Sequence, residues 1–140
     1  MVLLARQLYF EAVKVGDELP PLVKPPVDRA QIARYCGATN EYGPLHVDEP
    51  FARASGFEKP IMHGLCTFGF ACRALLKCLI PGEPERIRRM ACRFTRPLYP
   101  GDPIRTLIWK TGDGRALWRV VHAGSGQSII DGGEFEYDSR

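Results

Sequence analysis

The apolar segment from Gly64 to Ile80 constrains the fold of this chain more than any other stretch. Its large apolar residues recur at helical spacing, at Leu65, Phe68, Cys72, Leu75, Leu76 and Leu79. Pro81 and Gly82 end the pattern. About sixteen residues predict a helix of ~24 Å. The first half is apolar on nearly every side, so we expect other structure to surround it.

Four strand candidates follow this helix. They are Arg89–Phe94, Ile104–Lys110, Ala116–His122 and Ser128–Tyr137. Asp113-Gly114 and residues 124–126 supply tight turns between the last three, which predicts an antiparallel meander. Gly132-Gly133 inside the last strand predicts a bulge or a close backbone approach. One long helix and one antiparallel sheet predict an α+β fold in which the sheet wraps around the helix, the hot-dog architecture.

The first half of the chain is read as helix and loop. Residues 15–23 look extended, and Pro20 and Pro21 restrict them to an edge strand. Asp28 is a good N-cap for a helix that we expect Gly37 to end. After a loop over residues 38–47, Asp48 should cap a short helix, Glu49–Ala54, which Gly56 closes.

Composition narrows the class of protein. The 140 residues fit a single domain, 1–140, and the net charge of +3 is too small to indicate nucleic-acid binding. The five cysteines are odd in number and contain no C-x-x-C pair, which favours free thiols in a reducing compartment over disulfides or a zinc site. Without a bilayer-length apolar run or a C-terminal Ser-Lys-Leu, we expect a cytoplasmic protein that does not use a membrane.

A carboxylate and an imidazole lie close together on the predicted loop. Glu41 precedes His46 by five residues, and the Gly43-Pro44 pair between them favours a sharp reversal that brings the two side chains to one point. Such a pair can share and activate a water molecule. Gly64 opens the long helix, where a free N–H and the helix dipole stabilise developing negative charge. These are the parts needed to add water to an activated double bond, or to remove it.

Three segments resemble the MaoC-like dehydratases, also called hydratase 2 enzymes. They read N-E-Y-G-P-L-H-V-D from Asn40 to Asp48, F-E-K-P-I-M-H-G-L-C-T-F-G from Phe57 to Gly69, and C-R-F-T-R-P-L-Y-P-G-D from Cys92 to Asp102. The resemblance implies the hot-dog fold and the hydration of trans-2-enoyl-CoA to (R)-3-hydroxyacyl-CoA. It also implies that no metal or redox cofactor is needed, and coenzyme A enters as part of the substrate. Finally, it implies a homodimer.

The family pattern assigns roles to individual positions. His46 occupies the place of its catalytic histidine, and Glu41 stands where the family has Asp. Gly43 stands where the family usually has Asn, and the neighbouring Asn40 could partly substitute for that side chain. The N–H of Gly64 would stabilise the enolate oxygen. The resemblance therefore predicts Glu41, His46 and Gly64 as the catalytic groups.

Several further residues are candidates for substrate binding. Besides Asn40 and Gly43, they are His63, which would orient the loop or cap the helix, Cys72 beside an acyl tunnel, and Arg88 and Arg89 on coenzyme A phosphates. A solvated strand face is the simpler interpretation of the two arginines. Two other functions stay open at this level: an acyl-CoA thioesterase, and a non-catalytic subunit that binds acyl thioesters.

Overall fold

The computed structural model describes residues 18–24 and 28–139. Within these residues the chain forms four helices and five strands. The helices are α1 (Arg29–Thr39), α2 (Pro44–Val47), α3 (Glu49–Ala54) and α4 (Gly64–Leu79), with a 3-10 turn at Pro84–Arg86. The strands are β1 (Glu18–Lys24), β2 (Ile87–Phe94), β3 (Ile104–Gly112), β4 (Arg115–His122) and β5 (Ser128–Tyr137).

The five strands form one sheet in the order β1-β3-β4-β5-β2, and every neighbouring pair is antiparallel. The β3-β4-β5 meander expected from the turn residues is confirmed. The sheet carries α4 on one face, so the predicted α+β hot-dog architecture is confirmed as well.

The core lies between α4 and that face of the sheet. One cluster of buried residues joins Leu75 of α4 to Ile108, Trp118 and Phe135 of the three central strands. Phe68 also meets the Trp118 ring edge-on, with centroids 5.9 Å apart. Burying a large apolar side chain contributes about 1.5–3 kcal/mol. This packing fixes the direction of α4 and therefore the position of its N-terminus.

One side of α4 is uncovered. Residues four apart on this side are exposed, namely Leu65, Gly69, Arg73 and Lys77. Leu65 is 64% exposed, so the expectation that other structure surrounds the first half of the helix is met only on the side facing the sheet. No helix in the described ranges is long and apolar enough to cross a membrane.

Helix α1 extends past the expected end at Gly37. It runs to Thr39, and Asn40 stops it in the left-handed conformation, with φ 58°, while donating its N–H to the Cys36 carbonyl at 2.8 Å. Asparagine tolerates this conformation better than most residues, so it replaces glycine as the helix terminator. At the other end, the carboxylate of Asp28 accepts the Gln31 N–H at 3.2 Å, which confirms the predicted N-cap.

The segment 38–47 is not a continuous loop. It contains α2, a single turn that begins at Pro44, where a missing N–H removes no intrahelical bond. The His46 N–H donates to the Gly43 carbonyl at 2.9 Å. The predicted cap of the next helix is confirmed, since Asp48 accepts the Phe51 N–H at 2.9 Å. The His46 side chain therefore projects from a short rigid turn.

Strand β1 covers part of the predicted extended segment, and residues 15–17 lie outside the described ranges. Among the described strands it pairs only with β3, as expected for an edge strand. The register shifts between Leu19 and Leu22, at the two prolines. Because proline has no N–H to donate, this break falls where the ladder would be incomplete in any case.

Both expectations for Gly132-Gly133 are met. The register of β5 shifts against β2 between Ala91 and Arg93, and Gly132 has φ 57°. A Cβ on Gly133 would overlap the Trp118 ring and the Trp118 carbonyl oxygen. The bulge thus lets the largest core side chain pass beneath β5.

We expect Gly133→Ala to destabilise the protein by about 1–3 kcal/mol, since the added methyl group must displace Trp118 or strand β5. Urea denaturation would measure this change. Gly37→Ala is the matched control, because a Cβ there meets no atom of residues 18–24 or 28–139 within 4 Å. In a helix, that substitution should stabilise by about 0.5–1 kcal/mol. Equal stability of the Gly133 variant and the wild type would contradict the packing described here.

Candidate active site

Two hydrogen bonds attach the turn that carries His46 to the segment before α4. The Ile61 N–H donates to the Leu45 carbonyl at 3.1 Å, and Nδ1 of His46 lies 2.8 Å from the Ile61 carbonyl oxygen. A carbonyl oxygen only accepts, so Nδ1 carries the proton. In the neutral imidazole this leaves a lone pair on Nε2, the form that a general base requires.

The Glu41 carboxylate folds back over its own loop. Its Oε1 accepts the Gly43 N–H at 2.7 Å, which orients the group. Its Oε2 lies 3.5 Å from Nε2 of His46 and 3.5 Å from Nε2 of His63. The side chain is 51% exposed, so water reaches this pair.

When the imidazole is neutral and the carboxylate is ionised, His46 Nε2 and Glu41 Oε2 are both hydrogen-bond acceptors. Two acceptors at 3.5 Å repel unless a donor satisfies both. One water lying ~2.8 Å from each atom would donate to both. The geometry therefore suits the binding and deprotonation of a single water molecule.

His63 supports this pair from the interior. It is 3% exposed, and its ring stacks on His46 with centroids 3.8 Å apart and lies 4.5 Å from the Tyr35 ring. Its Nε2–H donates to the Glu41 carbonyl oxygen at 3.2 Å. It is the N-cap residue of α4, but its side chain makes no capping bond. Of the two roles expected for it, the contacts fit loop orientation.

Burial lowers the pKa of His63, and the nearby His46 lowers it further. The hydrogen bond to the Glu41 carbonyl and the Glu41 charge oppose this shift without reversing it. His63 is therefore neutral near pH 7. Its buried Nδ1 has no hydrogen-bond partner among the residues that the structure describes.

Gly64, the first residue of α4, borders a cavity of about 310 Å³ that His46 also lines. Its N–H has no partner within the helix. The other lining residues are mainly apolar: Phe57, Ile61, Met62, Thr67, Phe94, Thr95, Arg96, Pro97, Leu98 and Ile129. The cavity thus joins a catalytic-type imidazole to a helix N-terminus in an apolar setting.

The structure brings together five of the residues singled out from sequence. They are Glu41, Gly43, His46, His63 and Gly64. Asn40 is one residue away, and its backbone ends α1. Their roles in binding or catalysis remain predictions.

Three other candidates do not line this cavity. Cys72 is about two turns along α4 from Gly64, and burial raises the pKa of its thiol. Arg88 pairs with Asp138, and Arg89 pairs with Glu134 and Glu136. These two arginines already face carboxylates of their own chain. Their proposed contact with coenzyme A phosphates stays a prediction.

Sequence reasoning missed the residues that shape the cavity wall. Phe94 is 49% exposed, and its ring is the nearest group to Gly64, 3.1 Å from where a Cβ would lie. The Ile61 carbonyl fixes the tautomer of His46. A backbone acceptor of this kind cannot be predicted from the pattern of side chains in the sequence. Of the arginines around β2, it is Arg96 that borders the cavity, since it follows the strand end beside Phe94.

Glu41, His46 and His63 form the one group among the described residues whose donor atoms could hold a metal ion, all within 4.8 Å of one another. Two observations count against that use. The histidine rings stack, so their lone pairs run side by side instead of converging. His63 Nε2 also carries a proton that it donates to a carbonyl. The arrangement fits a water molecule better than a cation.

A sequence profile described as "MaoC like domain" matches residues 2–129. The chain is 45% identical over 115 residues to "3-hydroxyacyl-thioester dehydratase Y" of Mycobacterium tuberculosis, covering 79% of this chain and 39% of that protein. It is 38% identical over 111 residues to "Peroxisomal multifunctional enzyme type 2" of Mus musculus, covering 79% of this chain and 15% of that protein.

A solved structure shares this fold at higher coverage. The MaoC-like dehydratase from Phytophthora capsici superposes with a TM-score of 0.81 and 35% sequence identity, over 90% of this chain and 41% of that one. The present chain thus spans about two fifths or less of the length of these relatives. It corresponds to a part of each of them.

We expect the stability of the protein to decrease as the pH falls below about 6.5, the ordinary pKa of a histidine. Because the folded pKa of His63 is lowered, the unfolded chain binds the proton more tightly. The contribution is therefore complete above pH 6.5 and is lost as the pH falls toward the folded pKa. Urea denaturation at several pH values would measure it.

His63→Gln removes the titrating ring and should flatten this part of the pH profile. His122→Gln is the matched control, since His122 lies in β4 outside the site and shows no such burial. A profile that His63→Gln leaves unchanged would contradict a neutral, buried His63.

Proposed function

The chain belongs to the MaoC-like domain family, and from that premise we propose that it is an enoyl-CoA hydratase or 3-hydroxyacyl-CoA dehydratase. It would hydrate trans-2-enoyl-CoA to (R)-3-hydroxyacyl-CoA or catalyse the reverse reaction. The observation that carries the proposal is the 3.5 Å approach of Glu41 Oε2 to Nε2 of His46, whose Nδ1 is bonded to the Ile61 carbonyl. The names of the dehydratase relatives support the same class of reaction.

The proposed mechanism begins with the thioester in the cavity that His46 and Gly64 share. Water held between Glu41 and His46 gives a proton to this pair as its oxygen bonds to C3. The electrons of the double bond move toward the thioester oxygen, which the Gly64 N–H stabilises as an enolate. The proton is then delivered to C2. Since base and acid lie on one side of the double bond, addition is syn.

This chemistry uses only the chain's own groups, so we propose that no metal or redox cofactor takes part. Coenzyme A enters only as part of the substrate. The stacked rings of His46 and His63 support this view, because they do not present converging lone pairs.

We also propose that the active form is a homodimer. Large apolar side chains near the site are exposed, namely Tyr42, Val47, Phe51, Leu65 and Phe94. In addition, β2 pairs with only one neighbour among the described strands and leaves the edge of that sheet open. A second copy would cover both features. The greater length of the relatives supports a working unit larger than this chain.

We propose a cytoplasmic location. The thiols of Cys36, Cys66, Cys72 and Cys92 are free, which supports a reducing compartment. One relative is named as peroxisomal, which describes that protein. Cell fractionation would distinguish the two compartments.

We expect His46→Ala to lower kcat for crotonyl-CoA hydration by at least ~10²-fold, because the general base is removed. Glu41→Gln, which keeps the size of the side chain, should cause a loss of similar order. Disappearance of the conjugated enoyl thioester absorbance measures the rate. Release of free thiol instead would identify a thioesterase, and binding without either signal would identify a non-catalytic subunit.

His122→Ala is the control for the His46 variant. The Nδ1 of His122 accepts the N–H groups of Gly124 and Ser125 in a turn that does not line the cavity. We expect its kcat to equal that of the wild type. A His46→Ala enzyme at full rate would overturn the assignment. Loss of activity on dialysis against a chelator, restored by a metal ion, would overturn the metal-free mechanism.

Light scattering of the purified protein should give a mass twice that of the chain. Leu65→Asp should shift the protein toward monomer, because it places a charge in the surface that we propose is covered. Leu117→Asp is the matched control, on an exposed position of a central strand. A monomer mass for the wild type would rule the dimer out.

A further inference from the structure

Glycine at position 43 is not required by the backbone. Gly43 has φ −50° and ψ 134°, a conformation open to every residue. It precedes Pro44, which favours an extended residue before it whatever the side chain. The reason for a glycine therefore has to be sought in the space around it.

That space is filled by Glu41. A Cβ on Gly43 would lie 2.9 Å from Glu41 Oε1, closer than real Cβ contacts, and 3.5 Å from Cδ2 of His46, an ordinary contact. Among the described residues, Glu41 Oε1 is thus the one atom within 3 Å of that position. It is held there by the Gly43 N–H, which donates to Oε1 at 2.7 Å.

We infer that Gly43 is a positioning residue, which leaves the space that Glu41 needs to aim its second oxygen at His46. The inference rests on the proposed function, in which that oxygen helps to hold the reacting water. Glutamate is one methylene longer than aspartate, and the fold back over Gly43 takes up this extra length. The glutamate at 41 and the glycine at 43 therefore form one coupled arrangement.

A side chain at position 43 would break the hydrogen bond between the Gly43 N–H and Glu41 Oε1. Oε1 would have to leave the Gly43 N–H, and the half-exposed Glu41 side chain has solvent to move into. Oε2 would move away from His46 Nε2 with it. A displacement of ~1 Å in a catalytic group lowers the rate by ~10²-fold. The effect should appear in kcat, because Gly43 does not line the substrate cavity.

The test is a double-mutant cycle of wild type, Gly43→Ala, Glu41→Asp and the double variant, each assayed with crotonyl-CoA and by thermal unfolding. We expect the shorter Asp side chain in Glu41→Asp not to reach the space of the new Cβ. We expect Gly43→Ala to lower kcat at least ~10-fold more when residue 41 is Glu than when it is Asp. Equal losses in both backgrounds would overturn the inference.

Thermal unfolding tests the steric coupling without using activity. Gly→Ala at an allowed φ and ψ raises Tm by reducing the entropy of the unfolded chain. We expect Gly43→Ala to raise Tm less in the Glu41 background than in the Glu41→Asp background. Gly69→Ala is the control. Position 69 is exposed on α4, and no atom of the described residues lies within 4 Å of a Cβ there, so this substitution should raise Tm equally in both backgrounds.

The two readouts separate the two ways of failing. If the wild type hydrates no enoyl thioester, the proposed function is wrong, while the Tm comparison still decides the coupling. If the wild type is active and Gly43→Ala changes Tm equally in both backgrounds, the coupling is wrong and the proposed function stands.

Discussion

The hydrogen bond from His46 Nδ1–H to the Ile61 carbonyl is the contact on which the site depends. It fixes the tautomer of the imidazole and joins the turn of α2 to the segment that enters α4. A second bond beside it, from the Ile61 N–H to Leu45, holds the two segments in register. The Met62 N–H then donates to the Leu98 carbonyl at 2.8 Å, so the same segment is anchored to the far wall of the cavity. Three distant parts of the chain are thus held at fixed spacing.

His63 shows how the fold makes this contact rigid. Its imidazole fills the space between the Tyr35 ring of α1 and His46, and it binds the carbonyl of Glu41. The burial that holds the ring in place also keeps it uncharged near pH 7. A neutral His63 therefore brings no positive charge to the Glu41 carboxylate, although its Nε2 lies 3.5 Å from Oε2.

The sequence predicted two kinds of feature. One is a helix or strand that buries one face and so shows a periodic pattern, and the other is a helix start or turn set by the side chains next to it. The helix at 64–79 follows from an apolar period near 3.6 residues, and the β3-β4-β5 meander from a period near 2. The starts of α1 and α3 follow from the capping side chains of Asp28 and Asp48. The proximity of Glu41 and His46 followed from the Gly-Pro turn. Helix α2 was missed because a single turn is too short to show a period. The end of α1 was misplaced because Asn40 adopts a conformation more often taken by glycine.

Contacts between segments that are distant in the sequence could not be predicted from the sequence. Nothing near Arg88 in sequence indicates that Asp138 lies beside it, because that pairing depends on the register of β2 with β5. The stacking of His63 on His46 depends likewise on how α4 enters the core. For the same reason the sequence does not predict the cavity wall, in which the Phe94 ring lies over Gly64.

The two prolines of β1 bear on how far copies of this chain can assemble. Pro20 and Pro21 are consecutive, so one of their two missing amide donors is lost from the outer rim of the sheet, and the register of β1 breaks there. A strand from another molecule cannot complete a ladder there. The opposite rim, β2, contains no proline. Of the two rims formed by the described strands, β2 is therefore the one better suited to extension of the sheet, and assembly through a single rim gives a closed symmetric pair instead of an open-ended fibre.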